Sequence, residues 1–142
     1  MKKYTLWMLF LIVSASILAA PFTENGNGTV TDSATGLVWQ QSNSVQNNWE
    51  KSLNYCEALT LSGQSDWRMP NRNELQSIMD FSKSDITIDT NYFPSGQSDT
   101  YWSSTTETTS YRFVVNFGRY YFITGYETSS PDIAVRCVRG GQ

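Results

Sequence analysis

Apolar residues are spaced differently in successive stretches of this chain, and each spacing predicts an element. Leu6 to Val13 is an unbroken apolar run, preceded by Met1-Lys2-Lys3 and followed by small residues ending at Ala19-Ala20. A basic start, a short apolar centre and a small-residue exit predict a cleavable secretory signal over residues 1–20. The run is shorter than the roughly 20 residues of a bilayer-spanning helix. Residues 21–28 are polar and rich in Gly and Asn, which predicts a flexible lead-in. Thr29-Val30-Thr31 and Leu37-Val38-Trp39-Gln40 then flank a polar turn ending at Gly36, the pattern of a hairpin.

The period changes next from two to about 3.6. Trp49, Leu53, Cys56 and Thr60 recur at helical spacing with Leu59 alongside. Asn47 is placed to cap this helix with Glu50 reaching back, and Gly63 to end it. A second signature, Asn71 with Glu74, follows Pro70 and opens a short helix whose inner face is Leu75, Ile78 and Met79, with Phe81 near its end. Residues 82–96 hold no period and predict a long loop anchored by Ile86, Ile88, Tyr92 and Phe93. The remainder is β-prone: Tyr101–Thr105, Tyr111–Phe117, Arg119–Thr124 after a turn at Gly118, and Ile133–Val138. Early helices and a late antiparallel β-meander predict an α+β domain over residues 29–142, the N-terminal hairpin pairing with the last strand.

Cysteine count and charge sharpen this picture. Cys56 and Cys137 are the only cysteines, so in an oxidising compartment they are expected to pair, helix to terminal strand. Without Lys2 and Lys3 the formal charge of −3 becomes −5, which argues against nucleic acid or an anionic membrane as partner. The absence of histidine removes Ser-His-Asp and Cys-His nucleophile systems and the commonest zinc ligand. No catalytic residue, metal ligand or cofactor is expected, and none of the 13 acidic residues announces a hydrolytic pair.

Several segments occur together in order: Thr31-Asp32 to Thr35-Gly36-Leu37-Val38-Trp39-Gln40, Trp67-Arg68-Met69-Pro70-Asn71 with Glu74-Leu75, Tyr101-Trp102-Ser103-Ser104-Thr105, and Val135-Arg136-Cys137-Val138-Arg139-Gly140-Gly141. In these the chain resembles the family named for the C-terminal domain of the Legionella collagen-like adhesin, across about residues 28–141. The resemblance implies a C-type lectin-like fold and an adhesive role. The namesake binds sulfated host polysaccharides. This chain has no collagen-like repeat and an acidic mature domain, so the fold is carried over as an expectation and the ligand is not.

Two residue sets compete for function. Trp67, Arg68, Pro70, Asn71 and Glu74 read as structural: a core indole, an ion pair, a chain-direction residue and a cap. Trp39 and Trp102 read as core, and Arg136 and Arg139 as one cation facing an internal acid and one facing solvent. Asp85, Asp89 and Asn91 form an oxygen-rich stretch without the spacing of a calcium loop, and read as turn formers. Tyr111, Arg112, Arg119, Tyr120, Tyr121 and Tyr126 crowd near Gly118, and residues 111–142 carry four Arg against two acids. Tyr and Arg dominate binding hot spots, so this set is the candidate ligand face. The expected function is therefore an exported (periplasmic, cell-surface or secreted), non-enzymatic recognition domain. Its partner is a glycan or a protein surface, with no membrane insertion after signal cleavage. An envelope or appendage assembly role is the alternative, and a carboxylate-dependent hydrolase the third.

Overall fold

A computed structural model describes residues 21–94, 99–118 and 122–141; the signal expected over residues 1–20 and Arg119, Tyr120 and Tyr121 lie outside the described residues. In chain order the elements are β1 (Phe22–Glu24), β2 (Thr29–Asp32), β3 (Val38–Gln40), β4 (Ser44–Val45), α1 (Trp49–Ala58) and α2 (Arg72–Ser77). After them come β5 (Thr100–Thr106), β6 (Tyr111–Asn116), β7 (Phe122–Glu127), β8 (Ala134–Val135) and β9 (Val138–Arg139). They form two sheets, ordered β1-β2-β3-β9 and β4-β8-β5-β6-β7. Every pairing is antiparallel except that of β5 with β8. The domain is α+β, as the pattern predicts.

The expected closure of the hairpin on the end of the chain is present: Trp39 stands opposite Val30 on one side and Val138 on the other. The expected final strand Ile133–Val138 is instead two short strands in different sheets, and the chain crosses between them at Arg136-Cys137. The disulfide Cys56–Cys137 forms at this crossing, with Cα atoms 5.5 Å apart across a sequence separation of 81.

The predicted lead-in is built into the first sheet as β1. Its backbone pairs with β2, and the Phe22 ring packs 5.0 Å from Phe93 and 5.7 Å from Tyr92. A single aromatic in a polar stretch thus supplies an edge strand with its anchor. The strand expected at Arg119–Thr124 runs at Phe122–Glu127, pairing along all of β6.

The five-stranded sheet is covered on both faces. Tyr101, Val115 and Phe117 face one core cluster with Trp39, Leu75, Ile78 and Phe93. Trp102 and Val114 face a second cluster with Trp67, Cys56 and Cys137. Side chains alternate across a strand, so consecutive residues such as Val114 and Val115, both fully buried, serve two cores. α2 lies against the first cluster and α1 against the second.

Capping decides where both helices begin. The cap of α1 is Asn48, whose Oδ1 accepts from the Lys51 N–H at 2.8 Å, and not Asn47. Asn47 takes φ 68°, a left-handed turn that Asn tolerates. Gly63, expected as the helix stop, sits beyond the C-cap Leu59, in the turn joining Leu61 to Gln64 with φ 71°. The Asn71–Glu74 box at α2 is complete: Glu74 N donates to Asn71 Oδ1 at 2.9 Å and Asn71 N donates to Glu74 Oε2 at 2.8 Å.

Arg136 is the largest departure from expectation. It is 1 % exposed, and among the described residues no acid is its partner. Its guanidinium donates to the carbonyls of Gln40 at 3.0 Å, Gln41, Ser42 and Pro94, and lies 5.2 Å from the Phe93 ring centroid. Burial pushes its pKa down, partly offset by Tyr101. Carbonyl dipoles thus do the work assigned to a carboxylate, and they bind the β3–β4 turn to the end of the chain.

Candidate functional site

The cap at Asn48 turns the chain so that the first residue of α1, Trp49, meets the second sheet. The Trp49 backbone N–H donates to the Thr128 carbonyl at 2.8 Å, and its indole Nε1 donates to the Ser103 carbonyl at 2.9 Å. Arg112, on β6, lays its guanidinium 4.4 Å from the Trp49 ring centroid. Its Nη1 also donates to the carbonyls of Thr108, Tyr111 and Thr109 at 2.7, 3.0 and 3.3 Å. One cation therefore holds the β5–β6 loop to α1.

Beside this stack lies a cleft of about 440 Å³. Trp49 and Leu53, both half-buried, give it an apolar side. Asn48, Glu50 and Asn54 line it from α1 and its cap, and Thr109, Thr128 and Ser129 from the loops opposite. Arg112 and Glu50 are its charged residues. Among the described residues, the side chains of Glu50, Asn54, Thr109, Thr128 and Ser129 take no hydrogen-bond partner.

The sequence-predicted ligand set is divided by the sheet. Arg112 pairs across strands with Tyr126, and Tyr111 with Glu127. Alternation therefore puts Arg112 and Tyr126 on the α1 face and Tyr111 on the other. Tyr111 and Tyr126 are 40 % and 37 % exposed. The opposite face has its own stack, Arg72 lying 4.9 Å from the Phe113 ring centroid.

The Trp67–Glu74 segment is bound up internally. Trp67 is buried and its Nε1 donates to the Gln64 carbonyl at 3.1 Å. Arg68 donates twice to Glu74, at 2.9 and 2.7 Å, and once to the Gly140 carbonyl at 2.9 Å. The Pro70 carbonyl accepts from Ser104 N at 2.8 Å. Burial raises the Glu74 pKa, but the Arg68 hydrogen bonds, the Asn71 N–H and the Arg68 charge outweigh it, so the carboxyl sits below its ordinary value. Arg139 faces solvent and pairs with Asp66 at 2.7 Å. In the long loop, Asp89 is paired with Lys83 at 3.3 Å and accepts from Asn91 N at 3.1 Å. Among the described residues, no group of three or more acidic or cysteine side chains is gathered as a metal centre would require.

Residues 28–139 match the Lcl C-terminal domain, an adhesin-related family. The chain belongs to the Lcl C-terminal domain family. The comparison with curated proteins finds no match. In this Lcl C-terminal domain the cleft draws on residues that sequence reasoning passed over. Trp49 and Leu53 carry the helical stripe of a core, and Asn48 the signature of a cap, so each has a structural reading that hides its second use. Thr109, Thr128 and Ser129 lie in polar loops where nothing marks one residue above its neighbours. The one available signal was Arg112, and its true partner is an indole more than sixty residues earlier.

Proposed function

We propose that this Lcl C-terminal domain is an exported, non-enzymatic recognition domain of C-type lectin-like fold, and that it binds its ligand in the cleft between α1 and the β5–β6 loop. The observation that carries this reading is the cleft itself. A rigid apolar side is set beside polar side chains that the fold leaves unspent, which is the composition of a binding pocket. The family's adhesin association, the intramolecular disulfide and the signal-like leader support a role outside the cell. Tyr126, on the same face, extends the surface a larger ligand would touch.

The test is steric. Ser129 is exposed on the cleft rim, so Ser129→Trp should fill the opening while changing stability by no more than about 0.5 kcal/mol. Purified protein screened on arrays of glycans and of surface proteins should bind a ligand, and the variant should bind it roughly tenfold or more weakly. A ligand held equally well by the variant, with an unchanged melting temperature, would place recognition elsewhere.

A further inference from the structure

Resting on that reading, we infer that the cleft takes a neutral saccharide, recognised through its hydroxyl groups and one apolar ring face, and not a polyanion. Charge is the first argument. The cleft carries one carboxylate, Glu50, and one guanidinium, Arg112, so it offers no net attraction to sulfate or uronate.

The second argument is that the guanidinium offers an anion no accessible pair of free nitrogens. Arg112 lies against the Trp49 ring and gives one nitrogen to three backbone carbonyls. A bidentate contact is what makes Arg an anion receptor elsewhere; here the pair Nη1–Nη2 would have to give up that bracing, and the pair Nε–Nη2 is closed to an anion because Nε is buried.

The third argument is the character of the unspent groups. The hydroxyls of Thr109, Thr128 and Ser129 each donate and accept, and the Asn54 amide does the same with separate atoms, while the Glu50 carboxylate accepts only. Asn48 spends its Oδ1 on the helix cap. A sugar hydroxyl also donates and accepts, so a ring of vicinal hydroxyls can satisfy this set in both directions. A sulfate accepts only, and would leave the Glu50 carboxylate unpaired and repelled. Trp49 and Leu53 supply the apolar side against which the C–H face of a sugar ring packs. The cleft's 440 Å³ lies inside the range of about 300–1,000 Å³ of small-ligand pockets.

The experiment compares neutral glycans, a sulfated glycosaminoglycan and an unsulfated uronic acid polymer, each immobilised, at about 50 and 500 mM NaCl. The full mature protein is used, with Glu50→Gln, Asn54→Ala and Ser129→Trp. The expected result is retention on a neutral glycan that changes less than twofold with salt and falls several-fold in all three variants. Glu50→Gln decides the sign, because it weakens a hydroxyl's acceptor but strengthens binding of an anion. Retention on a sulfated or uronate polymer, steeply salt-dependent and improved by Glu50→Gln, overturns this inference and leaves recognition in the cleft standing. A protein ligand lost in Ser129→Trp, with no glycan retained, does the same. Glycan binding indifferent to all three variants defeats both the inference and the reading beneath it.

Discussion

Arg136 is joined to Tyr101 in two ways: its Nη2 donates to the Tyr101 hydroxyl at 3.3 Å, and its guanidinium carbon lies 5.4 Å from the centroid of the same ring. The contact places a cation inside the fold, balanced by oxygens of the main chain. Replacing a buried ion pair with an apolar residue can be neutral. Here no partner charge would leave with it, and the Gln40, Gln41, Ser42 and Pro94 carbonyls would lose their donor. Each stranded buried polar group costs about 1–3 kcal/mol, so Arg136→Met should lose about 3 kcal/mol or more in denaturant unfolding. An unchanged midpoint would mean those carbonyls find other partners.

The Arg68–Glu74 pair should be visible as acid sensitivity. A carboxyl whose folded pKa is depressed adds stability that is fully present above its unfolded value, near 4.5, and is lost as pH falls through the folded one. Melting temperature should therefore fall below about pH 4.5. In Glu74→Gln, which keeps an acceptor for the cap, that part of the fall should shrink. Identical slopes in both proteins would remove this pair from the account of acid unfolding.

Loss of the cap at α2 has a smaller expected cost. Asn71→Ala removes the acceptor of the Glu74 N–H and should lower stability by about 1 kcal/mol. Ligand affinity should not change, since α2 packs on the opposite face of the sheet from the cleft. Affinity lost at near-native stability would give the Trp67–Glu74 segment a binding role.

The disulfide closes a separation of 81 residues, worth about 4–5 kcal/mol on the chain-entropy view. The double variant Cys56→Ser, Cys137→Ser should lose stability of this order in equilibrium unfolding. Thiol titration of the unfolded wild-type protein should find no free thiol. Two reactive thiols would remove the crosslink from the energetics.

The parts of this architecture written in short sequence spans were legible. Asn71 and Glu74 are three residues apart, so a local rule finds their box. The hairpin around Gly36 and the pairing of two lone cysteines follow from equally simple constraints. What failed was set by tertiary contact. Asn47 and Asn48 are chemically the same, and only the left-handed turn at Asn47 selects the second as cap. β1 holds one apolar residue, and its partners Tyr92 and Phe93 lie seventy residues away. The period of β6 alone would give it one buried face, yet Val114 and Val115 are both buried because a second core covers Val114. In the cleft, each residue's local role as cap, stripe or loop masked its contribution to a shared surface.

The crossing at residues 134–139 also governs when this fold can exist. Six positions near the end of the chain supply a partner for β3, the neighbour that joins β4 to β5, the second sulfur of the disulfide and the cation of the carbonyl cage. A nascent chain that has reached Asp132 already holds Trp39, Tyr101 and Cys56, but none of the groups that close around them. Such long-range closure makes folding slow and late. A chain stopped at residue 132 should unfold without cooperativity in calorimetry; a sharp transition would show that earlier segments suffice. Stability therefore waits on one short segment, and the contacts made by all that precedes it stay provisional until residues 134–139 are in place.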